Sequence, residues 1–384
     1  MNTELPQNAR VLLRVDFNVP LQGGTVTDVT RLRSVIPTLQ TLRQRGNACI
    51  LMAHLGRPRG RNADLSLRLL VPILESLLGE PIVFVPDPMN DKSFLPEAAY
   101  SLLENLRFYP GEEANEVSFA QQLSRWGNFY INEAFSVAHR AHASIVGVPA
   151  FLPHAAGPLF QQELKALQSI TECPVPPVLA LVGGSKISTK LGVLHHLLKK
   201  VDTLAVGGGL ANTFLAAQGY VIGTSLQEPA LHEKARLLIQ EAQQEGRTLL
   251  LPCDVVVRTA RGATQVCPVE AIPSDAAIFD VGPMTVRRLE NEIARARTVL
   301  WNGPLGRFEE PPFHKATKAI LHTLATATRE RSLVSVVGGG DSVAALHAAS
   351  LDFSAFSYVS TSGGAFLEFL EGKELPGIRA LQDS

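Results

Sequence analysis

The chain has 384 residues, enough for two or three domains at roughly 150 residues each. Hydrophobic residues make up 46% and charged residues 18%, so large buried cores are available and a disordered chain is excluded. A formal net charge of −1 excludes a bulk basic field for nucleic acid or an anionic membrane.

At the start, Met1-Asn2-Thr3-Glu4 has neither the basic nor the apolar region of an export signal. No later run approaches the ~18 apolar residues that span a bilayer. Residues 11–15 read as a strand. Residues 31–45 read as a helix with Leu32, Val35, Ile36, Leu39 and Leu42 on one face, and 47–53 as a second strand. A third strand is expected at 129–131. Pro and Gly bracket a helical stretch at 159–170, which reads as a connector. Beyond it, apolar runs at 178–182, 203–206, 248–251, 277–279, 298–301 and 332–337 alternate with helix-sized segments, the pattern of parallel βαβ units. The expected fold class is α/β, with two doubly wound, Rossmann-like parallel-sheet domains. The boundaries are 1–157, a connecting helix at 158–174, and 175–362. Cys49, Cys173, Cys253 and Cys267 form no C-x-x-C pair, which argues against a zinc site or a disulfide framework. The expected setting is the cytoplasm, without membrane or nucleic acid as partner.

Ligands of an open parallel sheet bind beyond the C-terminal ends of its strands, so residues just after each strand are the informative ones. In the first half these are Asp16-Phe17-Asn18, His54-Leu55-Gly56-Arg57-Pro58, Arg107 and His139-Arg140-Ala141-His142. Residues 1–150 hold 13 Arg and 1 Lys against 14 Asp plus Glu, so an anion site must come from convergence of particular arginines. Arginine suits a bidentate grip on phosphate or carboxylate, although surface ion pairing is the ordinary alternative.

In the second half the same positions are rich in glycine: Gly183-Gly184, Gly207-Gly208-Gly209, Gly282-Pro283, Asn302-Gly303-Pro304, Gly338-Gly339-Gly340-Asp341-Ser342 and Gly363-Gly364. A single such turn can be a tight connection; several in one domain suggest nucleotide phosphates against backbone N–H groups. Walker A, dinucleotide and protein-kinase signatures are absent. Lys186 and Lys190, spaced i and i+4, read as one helix face, either solvated or reaching a phosphate. Asp341 reads equally as a Mg²⁺-associated carboxylate or as an N-cap.

Seven motifs in order resemble the phosphoglycerate kinase family: Arg14-Val-Asp-Phe-Asn-Val-Pro20, His54-Leu-Gly-Arg-Pro58, Ala138-His-Arg-Ala-His-Ala-Ser144, Gly207-Gly-Gly-Leu-Ala-Asn-Thr-Phe214, Trp301-Asn-Gly-Pro304, Gly338-Gly-Gly-Asp-Ser342 and Glu371-Gly-Lys-Glu-Leu-Pro-Gly377. The resemblance implies reversible phosphoryl transfer between 1,3-bisphosphoglycerate and ADP, giving 3-phosphoglycerate and MgATP in glycolysis. It further implies a hinge-bending monomer with an open cleft, and a segment 363–384 returning to the N-terminal domain. Residue by residue, it assigns Asp16, Phe17 and Asn18 to the glycerate. Arg31 goes to the transferring group, and His54, Leu55, Gly56, Arg57, Arg107 and Arg140 to the 3-phosphate and carboxylate side. Lys186 and Lys190 go to the nucleotide phosphates and the transferred phosphoryl. Gly208, Gly282, Glu309, Gly339, Gly340, Asp341 and Ser342 go to the nucleotide, with Mg²⁺ at Asp341. Three positions depart from the family pattern: Glu133 for Asp, and Ser136 and Ser362 for Gly. They are the only support for one alternative, a silent paralogue of the fold, against a full set of Arg, Lys and Asp side chains; the other, a nicotinamide dehydrogenase, lacks its fingerprint here.

Overall fold

The computed structural model describes residues 1, 4–90 and 98–382, so Asn2 and Thr3 of the N-terminal stretch lie outside the described residues. The chain divides into two compact units, Met1–Leu164 with Glu374–Ser384, and Lys165–Lys373.

The first unit is built on six parallel strands in the order Ile82–Val85, Tyr100–Leu103, Ala48–Met52, Arg10–Arg14, Phe129–Asn132 and His154–Ala156. Val11, Leu12 and Leu13 are fully buried, as a strand covered on both faces demands. The helix Thr30–Gln44 buries Leu32, Val35, Leu39 and Leu42, the stripe expected from their spacing. Arg14 pairs with Met52 on one side and Asn132 on the other. The segments following these strands, which begin at Val15, Ala53 and Glu133, therefore leave the sheet at one edge.

The second unit repeats the plan: Thr248–Leu250, Thr203–Val206, Val178–Val182, Thr298–Asn302, Val334–Gly338 and Tyr358–Ser360, all parallel. Its register puts Val206, Val182, Asn302, Gly338 and Ser360 in one row. Gly207, Gly183, Gly303 and Gly339 follow the first four, so the glycine turns line up along a single sheet edge.

The expected parallel strand at 277–279 is instead part of Ala276–Val281, in a three-stranded antiparallel sheet with Asp254–Thr259 and Thr264–Pro268. A short apolar run encodes neither the direction nor the partner of its strand, and the hairpin feeding this one decided both. The strands Ile82–Val85, Tyr100–Leu103, His154–Ala156 and Tyr358–Ser360 have no counterpart in the expectations, being three or four residues long.

The stretch expected to be helical from 158 forms a helix over Pro158–Thr171. Its start is capped by Glu133, whose carboxylate accepts the Leu159 N–H at 3.0 Å and, on its other oxygen, the Thr38 hydroxyl. Among the described residues no helix is long and apolar enough to cross a membrane.

Candidate functional site

In the first unit the strand ends carry one connected polar cluster. Arg14 is buried: its Nε donates to Ser144 Oγ at 3.0 Å, and Nη2 lies 3.1 Å from His54 Nδ1. Arginine can only donate, so that Nδ1 is an acceptor and the His54 proton sits on Nε2. Burial holds His54 well below the ordinary histidine range, and Arg14, Arg107, Arg140 and His142 push it further down. His142 is lowered to about 4, chiefly by burial and then by Arg107, Arg140 and Arg14. Arg107 is lowered to about 10, by burial and then by Arg140. Its Nη1 donates to Gly56 O at 2.6 Å; its Nε is buried without a hydrogen bond, 3.6 Å from Glu113 Oε1. Arg57 is exposed and Arg140 half-buried, and among the described residues neither has an ion-pair partner. Positive charge thus converges beyond what the local carboxylates neutralise, and such a site favours an anion.

Beside it, Arg31 Nη1 lies 3.0 Å from Asp16 Oδ2 and donates to Asn18 O at 2.9 Å. Asp16 also receives the Ser136 hydroxyl at 2.6 Å, and Asn18 Oδ1 accepts the Gly56 N–H at 2.8 Å. Ser136 therefore adds a hydrogen bond that orients Asp16. Phe17 and Leu55 are core residues, buried in the apolar cluster below the sheet edge.

The second unit holds a cavity of about 650 Å³ over its glycine row, within the range that accommodates a nucleotide. Leu226, Val255, Ile278 and Phe279 supply its apolar wall, Gly184 and Gly208 its backbone wall, and Asp280, Glu309 and Asp341 its carboxyl groups. The tight turns are obligatory here: a Cβ on Gly183 would stand 2.0 Å from Pro304 O. Lys190 Nζ donates to Gly183 O at 2.7 Å and to Asn302 O and Oδ1 at 3.0 and 2.6 Å. Burial lowers its pKa to about 8, opposed by Asp341.

Lys186 and Lys190 do not share a helix face: the helix is Leu191–Leu198, with Lys190 just before it and Lys186 exposed in the preceding turn. The helix Gly340–Ala348 is preceded by Gly339 at φ 99°, so Asp341 is not its N-cap. Its carboxylate is exposed and, among the described residues, free of hydrogen bonds. One free carboxylate beside a phosphate-sized backbone cradle fits a magnesium ion carried on a nucleotide, which keeps most of its waters and takes few protein ligands. Ser342 Oγ, buried, accepts the Gly303 N–H at 2.7 Å. Gly282 does not line the cavity; a Cβ there would stand 2.3 Å from the Asp254 carboxyl. Ser362 is not in the left-handed region, which Gly363 occupies at φ 50°. Its N–H donates to Ser360 Oγ at 3.2 Å.

The sequence assigns no role to Arg14, Asn105 or Asn302, and Ser136 stands out only as a departure from the family pattern. Asn105 ties the His54 loop by donating to Leu55 O at 2.8 Å, and Asn302 holds Lys190. Each stands in a strand-end segment, where asparagine reads as a turn former; its place at the end of a buried strand was the available signal.

The family described as Phosphoglycerate kinase matches residues 3–373. The phosphoglycerate kinase of Dinoroseobacter shibae is 48% identical over 377 residues, covering 97% of this chain and 96% of its own. That of Sinorhizobium medicae is 48% identical over 382 residues, with the same coverages. Among solved structures, phosphoglycerate kinase from Coxiella burnetii superposes with a TM-score of 0.92 at 40% identity, covering 98% of this chain and 96% of that one. The enzyme from Pyrococcus horikoshii gives 0.81 at 26% identity, with the same coverages.

Proposed function

The chain belongs to the phosphoglycerate kinase family, and we propose from that premise that it transfers a phosphoryl group reversibly between 1,3-bisphosphoglycerate and ADP, giving 3-phosphoglycerate and ATP. The observation that carries the reading is that each unit ends its parallel sheet in an anion-ready site of a different kind. One is made of arginine side chains, the other of glycine backbone and a half-buried lysine.

In this reading Arg57, Arg107, Arg140 and His54 hold the 3-phosphate and carboxylate of 3-phosphoglycerate, and Asp16 and Asn18 orient its glycerate. Fixed guanidinium groups suit both anions, because each presents paired oxygens to a planar fork. Gly208, Gly339, Gly340 and Ser342 offer backbone N–H groups to the nucleotide phosphates, and Glu309 accepts from the ribose. Lys186, Lys190 and Arg31 neutralise the oxygens of the group in flight; orienting the reactants is worth on the order of 7–11 kcal/mol of barrier. Asp341 would hold the Mg²⁺ that enters with the nucleotide, and that ion supplies charge neutralisation on the phosphates. An acyl phosphate must be kept from water, so the reading includes closure of the hinge once both substrates are bound. It also includes a monomer in the cytoplasm, the oligomeric part being checked by sedimentation.

The test is MgATP-dependent phosphorylation of 3-phosphoglycerate, read through coupled NADH oxidation. Arg31→Ala should cut kcat by ~100-fold or more while substrate KM changes far less. Folded protein that binds MgADP without turnover would favour the silent paralogue, and uptake of NAD instead of MgADP the dehydrogenase.

A further inference from the structure

Behind the apolar wall of the cavity lies an arginine that is not itself part of the lining. Arg258 is on the antiparallel strand Asp254–Thr259, opposite Ala277. Phe279 stands two residues further along the partner strand, unmatched at the irregularity where the pairing shifts from Val257–Ile278 to Val256–Asp280, and within reach of a long side chain. The guanidinium carbon of Arg258 lies 4.9 Å from the Phe279 ring centroid and 4.8 Å from that of Phe313. The two rings are themselves 4.9 Å apart. Phe313 is fully buried, whereas Phe279 is half-buried and lines the cavity. The other end of the guanidinium closes on Glu310, which also pairs with Arg307 at 3.3 Å.

The turn so held carries Arg307 and Glu309, both in the cavity wall. Its backbone is joined to the strand of Phe279, since the Arg307 N–H donates to Phe279 O at 2.7 Å, and the Phe313 N–H closes the turn on Glu310 O at 2.8 Å. One guanidinium therefore braces two separate pieces of wall, the ring of Phe279 and the turn bearing Glu309. Lysine could supply only one of the two braces. An ammonium group keeps the ion pair with Glu310 but lacks the plane that spreads over two rings.

We propose that Arg258 is a positioning residue of the nucleoside site, pre-setting Phe279 and the 307–310 turn so that nucleotide binding does not have to order them. This rests on reading the cavity as the nucleotide site. Preorganisation acts on affinity, so its loss raises KM for the nucleotide and leaves the other substrate untouched.

The experiment compares wild type, Arg258→Gln, Arg258→Lys and Glu310→Gln in the coupled assay, with MgADP affinity by titration calorimetry. Arg258→Gln should raise KM and Kd for the nucleotide about tenfold, with kcat at saturation and KM for 3-phosphoglycerate within twofold of wild type. Arg258→Lys and Glu310→Gln, each retaining one of the two braces, should fall between. A residue that merely supported the fold would lower Tm and the active fraction without splitting the two KM values. Wild-type nucleotide affinity in both Arg258→Gln and Glu310→Gln overturns the proposal and leaves the nucleotide site standing. A wild-type chain that takes up no MgADP overturns both.

Discussion

Lys190 and Asn302 are bonded twice: the ammonium donates to the side-chain oxygen at 2.6 Å and to the main-chain oxygen at 3.0 Å. With Gly183 O as third acceptor, the charge sits in a half-buried nest at the sheet edge, and burial still leaves its pKa near 8. Asn302→Asp places a carboxylate in the same position. The alkaline limb of kcat/KM for MgADP, expected near pH 8 in the wild type, should then move up by a unit or more, because a neighbouring negative charge favours the protonated lysine. A limb that stays where it was removes Lys190 as its origin.

Glu133 makes the chain's stability depend on pH. Burial pushes it up to about 7 from 4.5, against the opposing bonds from Thr38, Phe160 and Leu159. The native state thus keeps this proton longer than the unfolded chain. The contribution is fully present below about pH 4.5 and is lost as pH rises through 7, by about 3 kcal/mol at most. Asp280, also raised to about 7 by burial, adds in the same sense. In urea titrations the stability of wild type relative to Glu133→Gln should fall between pH 5 and pH 8. A difference independent of pH would falsify the assignment.

Two glycines at the same edge should answer differently to alanine. Gly183→Ala drives a methyl into Pro304 O and Gly303 O at 2.0 and 2.6 Å, both backbone, so losses above ~3 kcal/mol and poor folding are expected. Gly340→Ala meets nothing within 4 Å and opens a helix, so Tm should hold or rise. If its bareness serves a phosphate, MgADP affinity should nevertheless drop. Unchanged affinity in a stable Gly340→Ala protein would take that residue out of the phosphate cradle.

Arg57 is the exposed member of the cationic cluster and one of the charges that lower Arg107. Arg57→Gln should leave the free protein's Tm unchanged or slightly higher, since like charges repel. KM for 3-phosphoglycerate should rise about tenfold, that is ~1.4 kcal/mol, and the wild-type KM should climb with salt. Loss of Tm without a change in KM would make Arg57 a structural residue.

The two α/β halves, the helix at 158–171 and the strand-end positions of Asp16, His54, Gly183, Gly207 and Gly339 could all be read along the chain. Each depends on local spacing: a 3–4 stripe for a helix, a continuous apolar run for a doubly covered strand, glycine where a strand turns. The motifs in their order carried the family. The strand Ala276–Val281 was misplaced, and Lys186 and Lys190 were put on a helix that begins only at Leu191, because neither pairing direction nor the exact start of a helix is local.

What could not be read was anything decided by residues far apart in sequence. Arg14 meets Ser144 across 130 positions, Lys190 meets Asn302 across 112, and Glu133 meets Thr38 across 95. A side chain's identity tells what it can donate, accept or charge. Its pKa, its tautomer and its partners follow from the water it has lost and the charges brought beside it, and only the folded chain sets those.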